Sequence, residues 1–269
     1  MSSAIREPAR RSPARGHWPK TRAEWAAELL RAATILKPRG DGPFPLSLQF
    51  HGCGGLRPLQ EDYAAAAVDA GFAVVIVDSF KPRGLGRASG SALVCTGLKL
   101  RGAERAADVI ALYDWAQRQP WVDPAGIVAA GWSHGGWAIM DAIALGQRAE
   151  RFCKLSSLPG QPMMGLAGAV LIYPYAGFPA ITATRGWGDC APKVFALLCG
   201  RDQVVGVRHP PRALDRLERD GLKVERLVFA DATHAFDDDG ANDPRARHRP
   251  DLYAQARAWY VSSLRAATA

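Results

Sequence analysis

No apolar run in this chain of 269 residues reaches the roughly 18 residues that a membrane-spanning helix needs. Asp69, Asp78, Ser133 and Asp141 interrupt the most apolar stretches, so the sequence reads as a soluble protein with no membrane partner. Cysteine is scarce and unpatterned: Cys53, Cys95, Cys153, Cys190 and Cys199 are odd in number and lack C-x-x-C spacing. Neither a zinc site nor a disulfide scaffold follows from that, while a single bridge, Cys53 to Cys95 for example, stays open. Arg10-Arg11 is not followed by an apolar segment, so no cleaved export signal is expected and the cytoplasm is the default compartment. Nucleic-acid motifs and aromatic–basic alternation are also missing. The net charge of +8 is therefore no argument for a nucleic-acid partner. Internal repeats and an interdomain linker are absent too.

What is present is an ordinary globular composition, 48% apolar and 22% charged, in a length that suits one large domain. Much of the excess positive charge sits near the start, where Arg6, Arg10, Arg11, Arg15, Lys20 and Arg22 meet only Glu7 and Glu24. Residues 1–20 are also rich in Ser, Pro and Ala without periodicity, so they read as a solvated, disordered tail. Residues 21–269 read as a single domain. Apolar strands are expected at 34–36, 46–50, 72–78, 126–130, 169–173, 194–198 and 223–229. Helices are expected at about 21–33, 59–70, 102–118, 137–145, 212–219 and 251–265. Short, β-branched strands alternating with helices predict an α/β fold, a mostly parallel sheet with helices on both faces. Segments 148–164 and 177–190 are less periodic and are the places for a small lid, if there is one.

The strongest local signal is Gly131-Trp132-Ser133-His134-Gly135, which lies between an apolar strand and a helix-like run. A G-x-S-x-G step there forms a nucleophile elbow, which lifts the serine hydroxyl above the sheet edge. In parallel sheets, functional residues lie beyond the carboxyl ends of the strands. Two more chemistry-bearing residues occupy such ends: Asp202, after the strand at 194–198, and His234, after the strand at 223–229. Serine hydroxyl is a weak nucleophile until a histidine takes its proton, and a carboxylate fixes the imidazole tautomer. Ser133, Asp202 and His234 are therefore the candidate catalytic residues. The developing oxyanion needs donors. The backbone N–H groups of His134 and of Cys53, within the glycine-rich run His51-Gly52-Cys53-Gly54-Gly55, are the candidates.

These motifs, HGCGG (51–55), VDSFKPRG (77–84), GWSHGG (131–136), CGRDQVV (199–205) and ATHAFD (232–237), resemble those of α/β-hydrolases of the dienelactone hydrolase-like group. The resemblance runs from about residue 43 to the end. It implies the α/β-hydrolase fold with a small lid or none, and a hydrolase that needs neither cofactor nor metal. The substrate class it implies is a small-molecule ester or lactone. Dienelactone hydrolases proper carry a cysteine nucleophile and a glutamate after the early strand. This chain has Ser133 and no carboxylate at residues 51–53, so it is expected to be a serine esterase of related form.

Plainer readings stand beside these. His51 and His134 are expected to pack or hydrogen-bond rather than to titrate. Asp237-Asp238-Asp239-Gly240 lacks the spacing of a calcium loop and reads as a solvated acidic loop. Lys81, Arg83 and Trp132 are candidate substrate contacts, although a structural ion pair, with Asp78 for instance, explains Lys81 and Arg83 equally well. An acyltransferase, thioesterase or peptidase is compatible with the same triad, and so is a ligand-binding protein that has lost catalysis. No propeller-like domain accompanies the hydrolase motifs, which weighs against a peptidase. Oligomeric state is left open.

Overall fold

The computed structural model describes residues 19–86, 92–95, 97–158, 160–241 and 243–269. Residues 1–18 of the basic tail lie outside the described residues. The chain begins with β1 (Lys20–Thr21), α1 (Arg22–Leu30), β2 (Thr34–Leu36), β3 (Phe44–Phe50) and α2 (Pro58–Asp69). It continues through β4 (Ala73–Val77), α3 (Gly102–Ala116), β5 (Val122–Trp132), α4 (His134–Leu145) and α5 (Ala149–Cys153). After these come β6 (Leu155–Ser156), β7 (Gly168–Ile172), β8 (Lys193–Cys199), α6 (His209–Arg219), β9 (Val224–Phe229) and α7 (Pro250–Thr268).

Seven strands form one sheet in the order β2-β4-β3-β5-β7-β8-β9, while β1 and β6 pair apart from it. All pairings in the large sheet are parallel except that of the edge strand β2, which runs antiparallel to β4. The period of two is visible in the packing. Ala73, Val75 and Val77 of β4 and Leu46, Leu48 and Phe50 of β3 bury against α1, α3 and α4. Val74 and Ile76, with Val128, Ala130, Val170 and Ile172, bury against α2 and α7. Both faces are thus apolar and covered, which a parallel sheet requires because its crossovers place helices on each side. The polar Ser47 and Gln49 of β3 are tolerated on the second face because each meets the Tyr260 hydroxyl, at 2.7 and 3.0 Å.

Local chemistry sets the helix starts. Thr21 caps α1, its hydroxyl accepting from the Glu24 N–H while the Glu24 carboxylate accepts from the Thr21 N–H at 2.8 Å. Lys20, placed in the tail from sequence, belongs to β1 and is buried. Helix α6 begins at His209 rather than at 212, because Pro210 and Pro211 occupy the first turn, where no N–H is required. Of the two less periodic segments, 148–164 folds as α5 and β6 away from the strand ends that carry Ser133 and His234. Segment 177–190 begins beside those strand ends. The carboxyl ends of β3, β5, β8 and β9 deliver four loops to one edge, and the candidate residues stand on them.

Candidate active site

Ser133 joins β5 to α4 with φ 50° and ψ −111°, a conformation that costs a non-glycine residue free energy. The surroundings enforce it. A Cβ on Gly131 would lie 2.5 Å from the Gly135 carbonyl carbon, and one on Gly135 would lie 2.0 Å from the Phe50 oxygen. Only glycines let β5, α4 and β3 approach so closely. Ser133 N–H donates to the Ile172 carbonyl at 2.9 Å, and the Ser133 carbonyl accepts from the Tyr175 N–H at 3.2 Å. The strained residue is held from both sides.

Ser133 Oγ lies 2.9 Å from His234 Nε2, and His234 Nδ1 lies 2.8 Å from Asp202 Oδ2. The other carboxylate oxygen, Oδ1, accepts from the N–H groups of Val204 and Val205 at 3.0 and 2.9 Å. The carboxylate cannot rotate without losing these bonds. Gln203 accepts from the His234 N–H at 3.0 Å and anchors the histidine loop. The Tyr173 ring packs edge-on against the imidazole at 4.7 Å. Tyr173 and Tyr63 donate their hydroxyls to the two oxygens of Asp237 at 2.6 and 3.0 Å. Burial pushes the Asp237 carboxyl up despite these bonds. The acidic loop is therefore not simply solvated: Asp237 is buried beneath the histidine loop, Asp238 accepts from Arg57 at 3.0 Å, and only Asp239 is exposed. Sequence reading missed this because three adjacent aspartates look like surface.

The glycine-rich loop after β3 passes beside Ser133, so that a Cβ on Gly52 would lie 3.5 Å from Ser133 Cβ. Among the described residues, the backbone N–H groups of Cys53 and His134 donate to no protein acceptor. Both stay candidate donors. Cys53 is joined to Cys95 by a disulfide with Cα atoms 5.2 Å apart, which decides the pairing that the sequence left open. Both side chains of the flanking histidines are structural. His51 Nδ1 lies 2.6 Å from the Gly52 carbonyl and Nε2 accepts from the Ser79 N–H at 3.2 Å. Burial, reinforced by the Arg105 charge, holds His51 well below the ordinary imidazole range and His134 down to about 3. Both are neutral at physiological pH.

Two cavities meet at Ser133, Cys53, Cys95 and Val204. The larger, about 720 Å³, runs over Trp132 and Tyr173 toward Arg57, Asp238 and Arg245. The smaller, about 380 Å³, is lined by Trp137, Tyr175, Phe178, Pro179 and Val205, with Arg101 at one side. Phe178 and Pro179 come from segment 177–190, and no described residue of segment 148–164 lines either cavity. Trp132 lines the larger cavity. Lys81 and Arg83 line neither cavity. Arg83 is bound bidentately to the buried Asp108 at 2.7 and 3.0 Å and stacks on Trp25. Lys81 sits in a tight turn whose backbone N–H donates to Asp78 at 3.0 Å. They follow a strand end, but β4 lies on the far side of β3 from β5, so their turn faces α1 and α3 instead of the serine.

A family model described as the prolyl oligopeptidase family matches residues 60–159, a little over a third of the chain. Two uncharacterized 31.7 kDa proteins of Escherichia coli, from a traX-finO intergenic region, are 34% identical over 128 residues. The match takes in 47% of this chain and 41% of theirs, so the chain spans well under half the length of these relatives. Among solved structures, a dienelactone hydrolase-like promiscuous phosphotriesterase from metagenomic libraries superposes with a TM-score of 0.68 at 18% identity, covering 87% of this chain and 91% of that one. Thermogutta terrifontis esterase 2, phosphonylated by cyclosarin, gives a TM-score of 0.59 at 16% identity and covers 84% of both chains. The chain has the α/β-hydrolase fold.

Proposed function

We propose that the protein is a serine hydrolase that cleaves a small carboxylic ester or lactone through an acyl-enzyme. The observation that carries this reading is the unbroken relay of 2.9 and 2.8 Å contacts from Ser133 through His234 to Asp202, mounted on a strained elbow. His234 Nε2 accepts the serine proton as Oγ attacks the acyl carbon, and Asp202 keeps the other ring proton on Nδ1. The amides of Cys53 and His134 receive the oxyanion. His234 then gives its proton to the departing alkoxide, and water repeats the sequence in reverse on the acyl-enzyme. No step calls for a metal or cofactor.

The cleft bears on the substrate class. Two lobes of about 720 and 380 Å³, divided at the serine, give room for the two halves of an ester. The structural relatives named for esterase and phosphotriesterase activity support an ester-type electrophile. The prolyl oligopeptidase match covers α2 through the elbow and its helix, which is scaffold common to many acyl chemistries. Among the described residues no helix is long and apolar enough to cross a membrane. The bridge between Cys53 and Cys95 favours an oxidising compartment over the cytoplasm, since such bonds persist where thiols are not kept reduced.

The test is turnover of p-nitrophenyl acetate and a lactone by wild type and Ser133→Ala, with fluorophosphonate labelling in parallel. Wild type is expected to turn over and to label on Ser133, and the variant to lose about 10⁴-fold or more in kcat. Undiminished turnover by the variant sinks the reading, and a wild type that neither turns over nor labels points to a ligand-binding protein.

A further inference from the structure

The two arms of the oxyanion hole come from different elements, the loop after β3 and the start of α4, and a third element ties them together. Arg105 of α3 is completely buried. Its Nη1 donates to the His51 carbonyl at 2.7 Å and lies 3.2 Å from His134 Nδ1. Its Nε donates to the Ser79 hydroxyl at 2.9 Å. Nη1 has two protons, so one nitrogen serves both arms at once: the residue two before Cys53 and the side chain of the residue that follows Ser133. His134 is neutral, and its Nδ1 is free to accept. Burial lowers Arg105 only to about 10, with Asp108 opposing the shift, so it remains a cation.

We propose that Arg105 is the positioning residue of the oxyanion hole, a buried clamp that sets the distance and angle between the Cys53 and His134 amides. A guanidinium does this better than an ammonium or amide, because its planar fork offers several donors in fixed directions. Donors are useful only where they meet the developing charge, and a displacement of about 1 Å costs on the order of 10²-fold in rate. The inference rests on the serine-hydrolase reading.

The experiment compares full-length wild type, Arg105→Met, Arg105→Lys, Ser79→Ala and Ser133→Ala on p-nitrophenyl acetate. A trifluoromethyl ketone serves as probe, since Ser133 Oγ adds to its carbonyl carbon and leaves an oxyanion in the hole while His234 takes the proton. In folded Arg105→Met, kcat is expected to fall about 10²-fold with KM within about two-fold, and ketone affinity to fall in parallel. Arg105→Lys, which keeps a cation and a donor, recovers part of the loss. If Arg105→Met does not fold, Ser79→Ala removes only the Nε anchor and should lower kcat and ketone affinity several-fold together. Wild-type kcat and ketone affinity in the folded variant overturn the proposal, as does a loss of kcat without loss of ketone affinity. Activity surviving in Ser133→Ala would instead overturn the serine-hydrolase reading.

Discussion

Replacing Asp202 by Asn isolates the tautomer of His234 from everything else the carboxylate does. Oδ1 accepts two backbone N–H bonds, from Val204 and Val205. An asparagine in the same place must keep its carbonyl there, because an NH₂ group would oppose two donors. Its NH₂ then points at His234 Nδ1, where Oδ2 now lies at 2.8 Å. The ring must accept at Nδ1 and carry its proton on Nε2. Ser133 Oγ, 2.9 Å away, then faces a donor instead of a base. In a Ser-His-Asp triad the same exchange costs about 10⁴-fold in kcat, or roughly 5 kcal/mol of transition-state stabilisation. The loop itself should hold, since both N–H bonds survive. Asp202→Ala would instead strand both donors, at about 1–3 kcal/mol for the buried Val205 N–H and less for the part-exposed Val204. Steady-state p-nitrophenol release and thermal unfolding of both variants test this. Asp202→Asn retaining more than about a tenth of wild-type kcat would refute the argument.

Two further predictions concern stability. Asp141 of α4 accepts from Trp137 Nε1–H at 2.7 Å and from the N–H groups of Ile181 and Thr182 at 2.8 and 3.2 Å, yet burial pushes its carboxyl up to about 7. The unfolded chain releases that proton near pH 4, so the folded form holds more protons between about pH 4 and 7, and stability falls as pH rises through that window. Urea unfolding at pH 5 and pH 8 should show wild type losing up to roughly 3 kcal/mol more than Asp141→Asn; equal losses would sink this account. The Cys53–Cys95 bridge spans 42 residues, a loop whose closure is worth roughly 4 kcal/mol in the chain-entropy model. Reduction or Cys95→Ser should therefore lower Tm by about 8–16 °C in a domain of this size, and an unchanged Tm with titrated free thiols would refute it.

The parts legible in the sequence were those whose cause is local. The elbow is written in five consecutive residues, because Gly131 and Gly135 answer a backbone clash beside Ser133 itself. Asp202 and His234 could be found because each follows an apolar strand, and parallel sheets gather strand ends at one edge. The outcome differed where a residue's role depends on which neighbours arrive from far along the chain. Lys81 and Arg83 also follow a strand, but β4 is separated from β5 by β3, and strand order is not readable from alternation. Asp237 looked solvated among aspartates, and only Tyr63 and Tyr173, from two other elements, make it a buried acceptor. Arg105 did carry a signal: it precedes Val109, Leu112 and Ala116 by four, seven and eleven residues, which places it on the buried stripe of α3.

Three buried histidines crowd this site, and their environments divide the work among them. His51 and His134 lie in the interior beside the Arg105 cation, where a second positive charge would be costly, so each stays neutral and accepts a hydrogen bond. Among the three, His234 alone faces a carboxylate, with its Nε2 turned to Ser133 Oγ. A neutral acceptor is what the proposed clamp needs, because a protonated His134 would repel Arg105 and release one arm of the proposed oxyanion hole. The proposed base needs the reverse, a partner that stabilises its protonated form as Ser133 gives up its proton. The arginine that keeps two histidines neutral and the aspartate that hydrogen-bonds the third are therefore parts of one arrangement. Exchanging the two environments would leave the chain with a rigid base and a loose oxyanion hole.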